Sequence, residues 1–164
     1  MKALVTGANG FTGSHLVKLI RSQGHTVIGL DRRTSDLSRL AAMHLELAYG
    51  DITDAAILSQ AMAGVDVVFH IAACVDLGIV DATRMQRVNV EGTRTVLEAI
   101  KTQTHPPKLI YCSTIGIYGD TAGQVIDETY QRTQKGFSSA YDETKYKAQQ
   151  LVNQHVADGF SAVS

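Results

Sequence analysis

A doubly wound parallel α/β sheet is the fold class this sequence predicts, and three observations predict it. Short β-branched apolar runs alternate with longer stretches of helical period along the 164 residues. The first run, "KALVTG" (2–7), is apolar without alternation, as a strand covered on both faces must be. That run leads into "GANGFTG" (7–13), which sets three glycines at three-residue intervals between a strand and a helix. Composition fits one globular domain: 45% apolar and 19% charged residues. The formal net charge of −1 provides no electrostatic footprint for nucleic acid or an anionic membrane. No apolar run approaches the roughly 20 residues that cross a bilayer. Glycines break the N-terminal apolar stretch before it reaches signal-peptide length.

Each element has its own justification. After strand 2–7, a helix is expected over 12–23, with Leu16, Leu19 and Ile20 on one side and Gly24 as its stop. "HTVIGLD" (25–31) is a second strand. A short helix over 35–42 leads to a third, "HLELAYGD" (44–51). "TDAAILSQAMAG" (53–64) is a helix with a polar N-cap and a closing glycine, and "VDVVFHIAA" (65–73) a fourth strand. A long helix spans 83–102, and Pro106 and Pro107 break the chain before the fifth strand, "KLIYCST" (108–114). Residues 115–138 read as irregular. The last helix lies within 138–159, where Ser139 and Asp142 have capping-box spacing, and "FSAVS" (160–164) begins a sixth strand. Right-handed crossovers then place helices on both faces. Cys74 and Cys112 lack metal spacing and stand in apolar, strand-like contexts, so both read as buried thiols in a reducing, cytoplasmic setting.

In such sheets ligands bind beyond the carboxyl ends of the strands. Here those ends carry Gly7, Asp31, Gly50-Asp51, Ala72-Ala73 and Ser113-Thr114. Gly7 permits a tight turn, Gly10 lets backbone approach a diphosphate, and Gly13 lets the helix pack closely on the sheet. The helix N-terminus directs amides and partial positive charge at the anion. The G-x-x-G-x-x-G spacing is one residue longer in its first interval than the common Rossmann fingerprint. Asp31, 18 residues after Gly13, suits an acid that binds the adenosine ribose and repels a 2′-phosphate, which favours NAD. Arg32 and Arg33 can clamp such a phosphate, so NADP stays open. In "YDETK" (141–145), Tyr141 and Lys145 share a helix face. A neighbouring ammonium and a cationic nicotinamide would lower the phenol's pKa. The phenol could then exchange a proton with a substrate hydroxyl or carbonyl while the Thr114 hydroxyl holds the same oxygen. Lys145 can also bind the nicotinamide ribose.

The segments "TGANGFTG" (6–13), "GDITD" (50–54), "HIAA" (70–73), "NVEGT" (89–93), "YCSTIGIYG" (111–119) and "YDETK" (141–145) together resemble the extended branch of the short-chain dehydrogenase/reductase superfamily. That branch includes nucleotide-sugar epimerases and dehydratases, dihydroflavonol-reductase-like enzymes and 3β-hydroxysteroid-dehydrogenase-like enzymes. The resemblance implies a Rossmann-type domain of six strands. Gly7, Gly10, Phe11, Thr12 and Gly13 would cradle the diphosphate, Asp51 and Ile52 would contact adenine, and Ala72 and Ala73 would line the groove. Thr114, Tyr141 and Lys145 would form the catalytic triad, with Ser113 able to assist, and Asn89 would hold a structural or water-holding place. His70 departs from the asparagine usual at its position and reads as a satisfied core histidine. Asp31 matches epimerase-like members and Arg32 reductase-like ones. Residues 72–86 lack a nucleotide-sugar signature and fit the reductase and steroid-dehydrogenase loops about as well. The resemblance also implies a homodimer through helices 83–102 and 140–158, with Val88, Val96 and Ile100 as interface or core. It further implies a C-terminal substrate domain absent from these 164 residues, which by themselves would bind dinucleotide weakly and turn nothing over. The expected function is nicotinamide-dependent hydride chemistry on a small-molecule secondary alcohol or ketone, either a sugar nucleotide or a hydrophobic alcohol. The alternative is a non-catalytic dinucleotide-binding or redox-sensing module.

Overall fold

The computed structural model describes residues 1–75 and 81–164; residues 76–80, within the loop read above at 72–86, lie outside the described residues. Six parallel strands form one sheet in the order β3-β2-β1-β4-β5-β6: β1 Lys2–Thr6, β2 Thr26–Asp31, β3 Glu46–Tyr49, β4 Val67–His70, β5 Lys108–Tyr111 and β6 Ala162–Val163. This is the doubly wound order that reverses direction between β1 and β4. β1 pairs with β2 (Leu4 beside Ile28) and with β4 (Leu4 beside Val68), so both its edges are satisfied.

Alternation along β1 explains why both faces need cover. Leu4 points into one core with Leu58, Val96, Ile100, Leu109 and Val152, from helices α2 (Ala55–Ala61), α4 (Gly92–Lys101) and α5 (Ala140–Ala157) and strand β5, and with Met62, the C-cap of α2. Ala3 and Val5 point into the other with Val17 and Ile20 of α1 (Phe11–Ser22). Full burial of a side chain such as Leu4 stabilises by about 1.5–3 kcal/mol. Val96 and Ile100 are fully buried in this core, and Val88 is partly buried against it.

Several expectations change in detail. The buried stripe of α1 is Gly13, Ser14, Val17 and Ile20, while Leu19 is 55% exposed; the stripe follows a three-to-four spacing that leaves Leu19 on the outer face. Over 35–42 the expected helix is replaced by irregular chain and a 3₁₀ turn at Ala41–Met43. Asp36 accepts hydrogen bonds from the amide and hydroxyl of Ser38, and its carbonyl accepts one from the Asn9 side-chain amide. Such local bonds compete with the helical ladder. Strands β3, β4 and β6 are shorter than their apolar runs, with pairing confined to Glu46–Tyr49, Val67–His70 and Ala162–Val163. The long helix is broken into α3 (Ala82–Met85), a π-helical stretch (Gln86–Glu91) and α4. Ser139 caps α5 as its spacing predicts, its hydroxyl accepting from the Asp142 amide.

Gly13 packs so closely that an added Cβ would overlap the Gly7 carbonyl oxygen and sit 3.0 Å from the Ala8 Cα. Alanine would gain about 1 kcal/mol of helix propensity. Backbone cannot yield as a flexible side chain can, so overpacking of about 1–3 kcal/mol dominates. Gly13→Ala is therefore expected to lower the urea unfolding midpoint at unchanged m value.

Candidate dinucleotide-binding site

The C-terminal rim of the sheet opens into a cleft of about 710 Å³. One end is the glycine turn. Gly7 leaves β1 at φ +67° with its amide bonded to the Leu30 carbonyl, and Gly10 donates to the Gly7 carbonyl. A Cβ on Gly7 would lie 2.9 Å from the Ala72 Cα, so only glycine allows β1 to turn against the chain leaving β4. Gly10 is the N-cap of α1 and brings no capping side chain. The first amides of this 12-residue helix face the cleft rim beside Phe11, Thr12 and Gly13, all of which line it. Amides left open in this way suit an anion. Phe11 is 73% exposed, its ring tilted against that of His15.

Asp31 lines the cleft next to this turn and accepts bonds from the Asn9 amide, the Arg32 amide and the Ser35 hydroxyl. Arg32 and Arg39 also line it, whereas Arg33 lies over the Tyr49 ring, 5.3 Å from its centre. Asp51 and Ile52 form the next stretch of wall. Burial pushes the Asp51 carboxyl up. Bonds from the Thr53 amide and hydroxyl, with the charges of Arg87 and Arg32, outweigh burial and hold it below the usual carboxylate range. Ile52 fits the space left by Gly92, where a Cβ would meet its Cδ1 at 2.5 Å. Ala72 and Ala73 line the far side with Cys74 and Val75.

Tyr141 and Lys145 complete the cleft. Lys145 is 3% exposed, donates from Nζ to the Cys112 carbonyl at 2.6 Å and stands 4.2 Å from the Tyr111 ring centre. Burial pulls its pKa down to about 8. The Tyr141 phenol is shifted upward, opposite to the expected direction. Burial is the main cause, joined by Cys112 and Asp142, while the Lys145 ammonium is committed to a carbonyl. Thr114 is set apart from the cleft lining: its hydroxyl oxygen accepts from the Gly116 amide and caps the 3₁₀ turn Ile115–Tyr118. The Ser113 hydroxyl is buried without a partner among the described residues. Cys74 is buried as expected, but Cys112 is exposed, because it follows the last paired residue of β5 and enters the cleft wall.

Sequence reasoning missed the Cys112 carbonyl, which no side-chain pattern reveals. It also missed Asn9, inside the glycine motif, which braces Asp31. Asn89, assigned a structural place, clamps the amide and carbonyl of Cys74 and reaches the Thr144 hydroxyl.

Between about pH 8 and the ordinary lysine value of 10.5 the unfolded chain keeps a proton that folded Lys145 has lost. Raising pH through that window therefore favours the folded state; below it the burial penalty is constant. Urea titrations at stepped pH are expected to show the stability of wild type rising relative to Lys145→Met across the window.

Residues 3–164 match the NAD dependent epimerase/dehydratase family. The chain is 36% identical over 160 residues to a 3 beta-hydroxysteroid dehydrogenase/Delta 5-->4-isomerase of Mycobacterium tuberculosis, covering 92% of this chain and 42% of that protein. It is equally 36% identical over 160 residues to a dTDP-glucose 4,6-dehydratase of Mycolicibacterium smegmatis, covering 93% and 48%. The structure of a Thermus thermophilus UDP-glucose 4-epimerase in complex with NAD superposes with a TM-score of 0.87 at 27% identity, over 100% of this chain and 54% of that one. The chain thus spans about half the length of these relatives. Among the described residues no helix is long and apolar enough to cross a membrane. With its glycine turn, strand order and matched length, the chain belongs to the NAD dependent epimerase/dehydratase family.

Proposed function

We propose that this chain binds NAD and serves an enzyme that moves hydride to or from a secondary alcohol or ketone carbon of a small molecule, with Tyr141 as acid/base. One observation carries the reading: the Tyr141–Lys145 pair and the uncapped glycine turn line the same cleft. The residues fit the cofactor. The α1 amides and the Gly7–Gly13 turn suit the diphosphate, Asp31 a ribose, Ile52 the adenine, and Ala72 and Ala73 lie where small side chains leave room for a flat ring. When bound, NAD supplies or accepts the hydride.

The chain's own residues handle the proton. Tyr141 exchanges one between its phenol oxygen and the substrate oxygen. Lys145, four residues on from Tyr141 in the same cleft, brings a positive charge to the wall and offers donors to ribose hydroxyls. Its bond to the Cys112 carbonyl fixes the ammonium in the cleft wall. Thr114 can join by exchanging its bond with the Gly116 amide for one to the substrate oxygen.

Asp31 favours NAD by placing a carboxylate where NADP carries a phosphate, against the pull of Arg32 and Arg39. In equilibrium titrations Asp31→Ala is expected to weaken NAD more than NADP; the reverse ranking would make the two arginines the selectors. Tyr141→Phe is expected to keep NAD affinity and lose ~100-fold or more in turnover across secondary alcohols, ketones and nucleotide sugars. Parallel loss of binding would put Tyr141 in the cofactor cradle. NAD binding by wild type with no hydride transfer to any of these compounds would favour the sensing module.

A further inference from the structure

Behind the cleft runs a buried polar path that no catalytic role uses. Thr6, His70, Asn89, Thr93 and Thr144 are each under 5% exposed. Thr6 Oγ1 lies 2.8 Å from His70 Nδ1, and His70 Nε2 lies 3.0 Å from Thr93 Oγ1. Thr6 Oγ1 also accepts from the amides of Ile71 and Ala72, each at 3.2 Å.

Those two amides occupy both lone pairs of the Thr6 oxygen. Its single proton must therefore be given to His70 Nδ1, which leaves Nε2 to carry the imidazole hydrogen. Nε2 then donates to Thr93 Oγ1, whose own proton goes to the Asn89 carbonyl at 2.7 Å. Asn89 Nδ2 donates to Thr144 Oγ1 at 3.0 Å, and Thr144 donates to the Tyr141 carbonyl at 2.9 Å. From Thr6 through His70 to Thr93 every donor faces the same way and the run ends on the Asn89 main-chain carbonyl, while the Asn89 side-chain amide starts a second run to the helix that bears Tyr141 and Lys145. A reversed imidazole would set Nδ1–H against the saturated Thr6 oxygen and draw the Thr93 hydroxyl proton away from the Asn89 carbonyl.

We infer that His70 is a positioning residue: held as the Nε2–H tautomer, it fixes the direction of the buried Thr6–His70–Thr93 run, which ties the Ala72 wall beside the glycine turn to the π-helical stretch whose Asn89 reaches the Tyr141–Lys145 helix. Its link to catalysis rests on the function proposed above; its tautomer and its hold on Ala72 do not. A Cβ on Gly7 would lie 2.9 Å from the Ala72 Cα, so a slip of that wall would change the cleft that both residues line.

The test uses ¹⁵N-labelled protein without cofactor. Long-range ¹⁵N–¹H spectra are expected to show His70 neutral, with Nε2 protonated and Nδ1 bare, at neutral pH. In His70→Asn, Oδ1 can replace Nδ1 toward Thr6, so amide exchange at Ile71 and Ala72 should stay near wild type. In His70→Phe, of similar bulk and without an acceptor, it should speed up by about tenfold, as expected for a buried hydroxyl left without its partner. Rescue by asparagine separates this role from mere filling of space. A protonated Nδ1, or equal exchange in folded Asn and Phe variants, overturns the inference. If the Phe variant does not fold, the tautomer spectrum of wild type still decides it. Failure of wild type to bind NAD would instead count against the proposed function and leave these readouts intact.

Discussion

The approach of two backbones sets the rest of this structure. β1 lies between β2 and β4 in the middle of the sheet, and on leaving it the chain must turn at Gly7 against Ala72. A side chain at Gly7 would collide with backbone on the neighbouring strand's exit, and one at Gly13 would collide with Gly7 itself. Close contact of strand, turn and helix is what leaves the α1 amides open at the rim. Parallel pairing does the remainder, by bringing Asp31, Asp51, Ala72 and Cys112 to that rim from four separate stretches of sequence.

One set of polar groups inside the fold is handled by a run of partners rather than by isolated bonds. Buried without partners, the groups of His70, Thr93 and Asn89 would each cost more than an ordinary hydrogen bond returns. Joined in one direction, they connect elements that the hydrophobic core alone would hold more loosely. The π-helical stretch belongs to the same arrangement, because it carries Asn89 inward to the Cys74 backbone between two segments of ordinary helix. Lys145 follows a different logic. Its ammonium is buried with one carbonyl and one aromatic face as company, which is enough to keep it in place and too little to hold its usual pKa.

Much of the fold was legible because its signals are local. The apolar run of β1 and the Ser139 cap need only a few neighbouring residues to be read. The expected helix at 35–42 gave way for a reason outside its own period: the Asp36 carboxyl took the Ser38 amide, and Asn9 from another turn took the Asp36 carbonyl. Leu19 lies outside the core because apolarity alone does not say which side of α1 meets the sheet. Thr114 is a different case, since its motif is intact while its hydroxyl serves the local turn in this structure.

The amino-acid order alone determined the alternation of strands and helices, the glycine turn and the four-residue spacing of Tyr141 and Lys145. All three are short-range facts of backbone geometry and helical period. Tertiary structure decided the length of each strand, the exposure of Cys112, the carbonyl that receives Lys145 and the direction of the His70 chain. Those depend on groups distant in sequence arriving at hydrogen-bond distance, and no local pattern encodes which atoms will meet.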